Sequence, residues 1–225
     1  PAGFFCNNKE LESKKILVTA GPTYEAINPV RLIGNHSSGK MGVAIAEEFA
    51  ARGADVTLIL GPSNIAAGKN INVINVTSAQ QMYDACLNNF SESHITVMAA
   101  AVADYMPQQF SSDKIKKTED TFSLELKRTN DILKKLAEQK RKEQIGVGFA
   151  LETNNEKENA LQKLQSKNAD MIILNSLQDA SAGFGYDTNK ITIFDKTGKS
   201  YPFEMKTKKE VAKDIVNFII QLINQ

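Results

Sequence analysis

Two short apolar runs bracket one amphipathic stretch, and that order restricts the chain to few folds. Lys15-Ile16-Leu17-Val18-Thr19-Ala20 and residues 56–60 each read as a buried parallel strand. Between them Val43, Ala46 and Ala50, with Ile45 and Phe49, recur at the three- and four-residue spacings of a buried helical stripe. The spacing predicts a helix over about 40–52, with Gly53 as its C-cap. Strand, helix, strand is a right-handed βαβ unit, so the expected fold is α/β: a Rossmann-like, mainly parallel sheet with helices on both faces. Both strands end in Gly-Pro-hydroxyl, as Gly21-Pro22-Thr23 and Gly61-Pro62-Ser63. Ligands of such sheets bind beyond the carboxyl ends of the strands; the second turn reads as plain strand punctuation.

The same alternation continues. Further strands are expected at 95–98, 145–149 and 171–175, and helices over 79–90 and from Asp131 to about 142. Asn155 with Glu158 has N-cap and N3 spacing for another helix. Residues 190–194 and 201–204 flank Asp195-Lys196-Thr197-Gly198 as an edge hairpin, after a glycine-rich loop at 181–185. Val211, Ile215, Phe218, Ile219 and Leu222 stripe a closing helix. Residues 105–128 break the pattern. Phe122, Leu124 and Leu126 alternate with Ser123, Glu125 and Lys127, predicting a half-buried strand in a short antiparallel ribbon, beside a mobile basic loop. Such a ribbon needs something over its apolar face, and a second copy of the chain would serve. The expected organisation is a linker at 1–13 and a single domain over 14–225, with 105–128 as a loop and dimerisation insertion. Pro1 in place of Met reads as a processed start or a piece of something longer.

Composition narrows the partners. At 225 residues and net charge +1, no global field argues for nucleic acid or anionic membrane. Cys6 and Cys86 lie far apart without metal-ligand spacing. No apolar run is long enough to span a membrane and no signal peptide opens the chain, so a cytoplasmic location is expected.

The most polar turn of the βαβ unit is Gly34-Asn35-His36-Ser37-Ser38-Gly39-Lys40-Met41-Gly42. Asn35, Ser37 and Ser38 offer side-chain caps, and Gly39 and Gly42 let a ligand approach the backbone. A helix opening this way suits an anion such as phosphate. It is not a P-loop, because Met41 stands where a hydroxyl should hold magnesium. Nor is it a dinucleotide fingerprint: no G-x-G-x-x-G follows the first strand and no acid follows the second. Ala99-Ala100-Ala101-Val102-Ala103 forms a thin wall for a flat ring, and Asp104 is placed for a ribose hydroxyl or a metal. His94, at the start of a buried strand, reads as structural; His36, inside the key turn, reads as orienting.

Asn35 to Gly42, Ala101-Val102-Ala103-Asp104-Tyr105, Lys114-Ile115-Lys116-Lys117 and Gly148-Phe149-Ala150-Leu151-Glu152-Thr153-Asn154, with Ala20-Gly21-Pro22-Thr23, closely resemble bacterial phosphopantothenoylcysteine synthetase from about Lys14 onward. The resemblance implies a ligase of coenzyme A synthesis. CTP would activate the carboxylate of 4′-phosphopantothenate as an acyl-cytidylate, releasing pyrophosphate, and the amine of L-cysteine would displace CMP. It implies Mg²⁺ or Mn²⁺ as cofactor, a homodimer, and fusion in the full-length protein to an N-terminal flavin-dependent decarboxylase. By the resemblance Asn35 and Lys114 are catalytic: Asn35 settles the acyl-cytidylate carbonyl, and Lys114 is a mobile lysine that offsets charge. Ser37, Ser38, Asp104, Lys114, Phe149, Lys163 and Lys167 would bind the nucleotide. Asn35, His36 and Lys40 would bind substrate, and Asp104 would be the metal ligand. The family's Pro-Asp-Ile-Val segment appears as Asn130-Asp131-Ile132-Leu133, also at the nucleotide. CTP rests on the resemblance alone, since nothing in the residues distinguishes cytosine from adenine. A nucleotide-dependent oxidoreductase is the main rival, but it lacks its glycine fingerprint, ribose acid and Tyr-x3-Lys pair. A non-catalytic nucleotide-binding scaffold would have no need of Lys114.

Overall fold

The first strand, β1 (Lys15–Ala20), sends Ile16, Val18 and Ala20 to one face of a sheet and Leu17 and Thr19 to the other. Both faces are covered, which is why the run carries no regular polar residue. A computed structural model describes residues 9–116, 121–152, 154–176 and 186–224. After β1 the chain makes a small ribbon from β2 (Tyr24–Ala26) and β3 (Leu32–Gly34). Then follow α1 (Lys40–Ala51), β4 (Asp55–Leu60), β5 (Asn72–Asn75), α2 (Ala79–Phe90) and β6 (Ile95–Met98). A second ribbon pairs β7 (Tyr105–Pro107) with β8 (Leu126–Arg128). The chain returns to order through α3 (Ile132–Gln139), β9 (Ile145–Glu152), α4 (Glu156–Ser166) and β10 (Met171–Ser176). It closes with β11 (Thr188–Asn189), β12 (Ile191–Asp195), β13 (Ser200–Pro202), β14 (Lys206–Thr207) and α5 (Lys208–Ile223).

Eight strands form the main sheet in the order β13-β12-β10-β9-β6-β1-β4-β5. β5, β4, β1, β6, β9 and β10 run parallel, and β12 and β13 add antiparallel strands at one edge. The α/β expectation therefore holds. On one face α1 and α5 bury Val43, Ile45, Phe49, Val211, Ile215 and Ile219 against the sheet. On the other, α2 and α3 cover Leu17 and Ile59, and α4 covers Ile172 and Leu174. Each such side chain contributes about 1.5–3 kcal/mol when fully buried.

Several local expectations are corrected. The ribbon strand is only Leu126–Arg128, and its residues are exposed rather than half-buried; Phe122 is 62% exposed. Alternation marked a face that finds no second layer within the described residues. α3 stops at Gln139, because Lys140 is extended (φ −63°, ψ 125°). Asn155 sits in the left-handed region (φ 45°) and does not cap α4 through its side chain. Asn35, Ser37 and Ser38 do not cap α1 either: its N-cap is Gly39, at φ 82°. β9 runs on through Glu152. Leu11 is buried in the core and its N–H donates to Arg52 O at 3.1 Å, so packing begins inside the stretch expected to be linker. The glycine-rich loop at 181–185 lies outside the described residues.

Gly61-Pro62-Ser63 does more than end β4. A Cβ on Gly61 would lie 1.8 Å from Pro22 O, so the two Gly-Pro turns stack backbone on backbone. Ser63 Oγ then donates to Ser38 O at 2.8 Å, bracing the entry to α1. Gly61→Ala is expected to destabilise the fold by about 3 kcal/mol, the upper part of the range for overpacking. Gly68→Ala, whose nearest neighbour would be 3.9 Å away, should change little by comparison. Urea unfolding of the two variants measures the difference.

Candidate active site

The carboxyl ends of β6, β9 and β10 open onto a cleft of about 730 Å³. Its near lip is the first turn of α1. Gly42 lets that turn rest on β1, since a Cβ there would meet Ala20 Cβ at 2.5 Å. Gly39 approaches Gly21 in the same way, and its N–H donates to Ser37 Oγ at 3.3 Å. With no side-chain cap, the helix presents its N–H groups and partial positive charge to the cleft.

The alanine turn forms the floor and is laced to Gly21-Pro22-Thr23. Ala101 N–H donates to Gly21 O at 2.9 Å, and Ala103 N–H to Thr23 Oγ1 at 2.9 Å. Asn35 is held from the same turn, its Nδ2 donating to Ala101 O at 3.0 Å and Val102 O at 3.2 Å. Two carbonyls thus fix the amide and leave Oδ1, an acceptor, for a ligand. Donation from Asn35 to an acyl carbonyl, as the resemblance implied, would require one of these bonds to break. Asp104 is exposed beside the floor, strapped by Thr129 N–H to its carbonyl at 3.0 Å.

The far wall carries Phe149, Lys163 and Lys167, with Asn130, Asp131, Ile132 and Leu133 below. Lys163 Nζ donates to Phe149 O at 2.6 Å, and burial pulls its ammonium below the usual lysine value despite Glu152 nearby. Burial alone would raise the Asp131 carboxyl. Its ion pair with Lys167 and the Lys134 N–H at 3.0 Å bring it below the usual range. Asp131 therefore caps α3 and orients Lys167 at once. Asn130 Nδ2 donates to Gln80 Oε1 at 2.9 Å.

Of the expected site residues, Asn35, Ser37, Ser38, Lys40, Asp104, Asn130, Asp131, Ile132, Leu133, Phe149, Lys163 and Lys167 all line this one cleft. His36 and Lys114 are exposed and do not. His94 Nδ1 accepts the Lys15 N–H at 2.9 Å, the structural part expected of it. The sequence reading missed Glu152, Asn175, Asn189 and Lys208, which also line the cleft. Lys208 is the first residue of α5, three before the stripe begins, and only that helix's position in the fold brings it here. Burial pushes the Cys86 thiol up to about 12, so it is no nucleophile. Among the described residues no three His, Cys, Asp or Glu side chains gather to hold a metal. Asp104 by itself fits a magnesium ion carried in on phosphates, which needs only one or two protein carboxylates. No helix of the described residues is long and apolar enough to cross a membrane.

A family model described as the DNA/pantothenate metabolism flavoprotein C-terminal domain matches residues 11–223. The chain belongs to this family. The coenzyme A biosynthesis bifunctional protein CoaBC of Haemophilus influenzae is 46% identical over 220 residues, covering 97% of this chain and 54% of that protein. A cysteine/cysteine sulfinic acid decarboxylase of an unspecified prokaryote is 49% identical over 217 residues, covering 96% of this chain and 60% of its own length. The chain thus spans just over half of these curated relatives. A crystal structure of the C-terminal domain of a CoaBC protein superimposes with a TM-score of 0.82 at 39% identity, covering 96% of this chain and 98% of that one. The DNA/pantothenate metabolism flavoprotein C-terminal domain is therefore matched in fold as well as in sequence.

The Asp131 pair predicts a pH effect. A carboxyl lowered in the folded state stabilises above its unfolded pKa of about 3.9, and that stability is lost as pH falls through the lower folded value. The wild type should therefore lose stability below about pH 4 more steeply than Asp131→Asn. Unfolding midpoints taken from neutral pH down to that range test it.

Proposed function

We propose that the chain is the ligase that joins 4′-phosphopantothenate to L-cysteine, with a nucleoside triphosphate, CTP, as activating co-substrate. The observation that carries the reading is one cleft combining an uncapped helix mouth, an alanine floor and a cationic wall, in a family whose relatives include coenzyme A biosynthesis proteins. A carboxylate cannot expel oxide, so an oxygen of the phosphopantothenate carboxylate attacks the α-phosphorus of CTP and pyrophosphate departs. The cysteine amine then attacks the acyl carbon, and CMP leaves. The protein contributes alignment and charge stabilisation rather than a nucleophile of its own.

In this reading the helix mouth at Ser37 and Ser38 meets the phosphates, and Phe149, Lys163, Lys167 and residues 130–133 hold the nucleoside end. Magnesium, held by Asp104 and the phosphates, would supply charge neutralisation. Asn35 Oδ1 suits the incoming ammonium or amine better than a carbonyl, which supports an action after activation. Lys114 must move to act, and its surroundings support a hinged attachment. Arg31 Nη1 donates to Ile115 O at 3.1 Å, and Ser111 N–H to Ile27 O at 3.0 Å. The ribbon of β7 and β8, with Tyr105 and Leu126 exposed, supports a homodimer. The bifunctional relatives support fusion to a second enzyme domain, and a cytoplasmic location is part of the same reading.

Incubation with 4′-phosphopantothenate, L-cysteine and each nucleoside triphosphate, scoring amide and nucleoside monophosphate, tests the reading. The decarboxylase named among the relatives gives the control, release of carbon dioxide from cysteine. Amide formed with CTP supports the ligase; carbon dioxide without amide sinks it. Lys114→Gln should fold normally and lose about a hundredfold or more in turnover, as expected for removing one stabilising donor. Asn35→Asp should accumulate acyl-cytidylate, seen by quenched-flow mass spectrometry, and fail at amide formation.

A further inference from the structure

One stripe of α4 holds three groups at the cleft. Asn159, Lys163 and Lys167 recur every four residues along the helix and its C-cap, so they stand on one side of it. Lys167 pairs with Asp131, and Lys163 Nζ donates to Phe149 O at 2.6 Å. Asn159 Nδ2 donates to Glu152 Oε2 at 2.9 Å and to Asn154 O at 3.1 Å. Glu152 ends β9, three residues after Phe149, and both line the cleft. Its carboxylate is therefore oriented by an amide that is itself anchored. Burial does most to lower the Lys163 ammonium, and the charge of Glu152, next in size, works against it. Among the described residues no ion pair joins the two, so they are neighbours that leave their charged ends to a ligand.

Three of the described residues lining the cleft are carboxylates: Asp104, Asp131 and Glu152. Asp131 is engaged by Lys167 and the first turn of α3, and Asp104 lies exposed beside the alanine floor. Glu152 is the acceptor set next to a lysine donor and an aromatic ring. Cytosine has the complementary edge: O2 and N3 accept, and the exocyclic N4 amine donates. Uracil has nearly the same shape, but O4 accepts where N4 donates, and N3 carries a proton. It would meet both protein groups with like polarity, and a site built to pair a donor rejects an analogue lacking it. We propose that Glu152 determines base specificity, accepting the N4 amine of cytosine while Lys163 donates to O2 or N3. This rests on the ligase reading. Glu152 lies within the Gly148–Asn154 segment, yet the resemblance gives it no role. Adenine, whose N1 accepts and N6 donates, satisfies the same pair, so the pair separates amine from carbonyl bases.

Amide formation with CTP and with UTP, each as kcat/KM for the nucleotide, is the test. The wild type should prefer CTP by about a hundredfold or more. Glu152→Gln should reduce that preference by about tenfold or more, because a carboxamide loses the charged acceptor and can turn its Nε2 toward O4. A residue that only braced the end of β9 would lower both nucleotides equally, and an unchanged ratio overturns the proposal. Should Glu152→Gln fail to fold, Asn159→Ala decides. Releasing the carboxylate from its tether should narrow the preference severalfold, and an unchanged ratio there overturns it as well. A wild type that forms amide with UTP as readily as with CTP overturns the assignment and leaves the ligase reading intact. A wild type that forms no amide with any nucleoside triphosphate overturns the ligase reading itself.

Discussion

The seating of α1 on the end of β1 is the contact from which the cleft follows. Gly42 against Ala20 and Gly39 against Gly21 admit no Cβ without displacement, and the second Gly-Pro turn fills the space behind them. The approach costs α1 a side-chain cap, which most helices use. What is gained is a helix mouth aimed into a concavity instead of sealed by its own sequence. Packing and site are one arrangement here, because the residues that allow the close fit are those that leave the backbone amides presented.

Charge is distributed to match. On the far wall Lys167 pairs with Asp131 and Lys163 donates to a main-chain carbonyl. The α5 side repeats the arrangement, with Lys40 on Asp187 and Lys208 donating to Tyr186 O. The alanine floor between them supplies close packing without competing hydrogen-bond donors.

How much of this was legible in the sequence depended on how local the signal was. Lys15–Ala20, Ile95–Met98 and the stripe from Val43 to Phe49 were readable because burial on two faces or one leaves a direct periodic trace. The ribbon at 126–128 was misread because alternation reports a side that wants covering, not one that is covered. Asn155 has a capping residue's chemistry at a capping position, yet its backbone turns left-handed there, and no short-range pattern marks that. Leu11 looked like linker because one buried residue in a polar stretch carries no period. The cleft residues of the motifs were found together because several short segments each carried a resemblance. Lys208 was invisible, being a single lysine 168 positions from the turn it joins, brought there only by α5 lying along α1.

The β2–β3 ribbon has one more implication. Its tip is fastened to the stretch bearing Lys114 through Ile27 and Arg31, and its outgoing strand runs straight into Asn35. Val30 and Leu32 stand bare on that tip, 63% and 53% exposed. The ribbon is one short piece of backbone that joins the segment bearing Lys114 to the segment bearing Asn35. A load on its bare tip therefore displaces both segments together, though they lie 79 positions apart in the sequence.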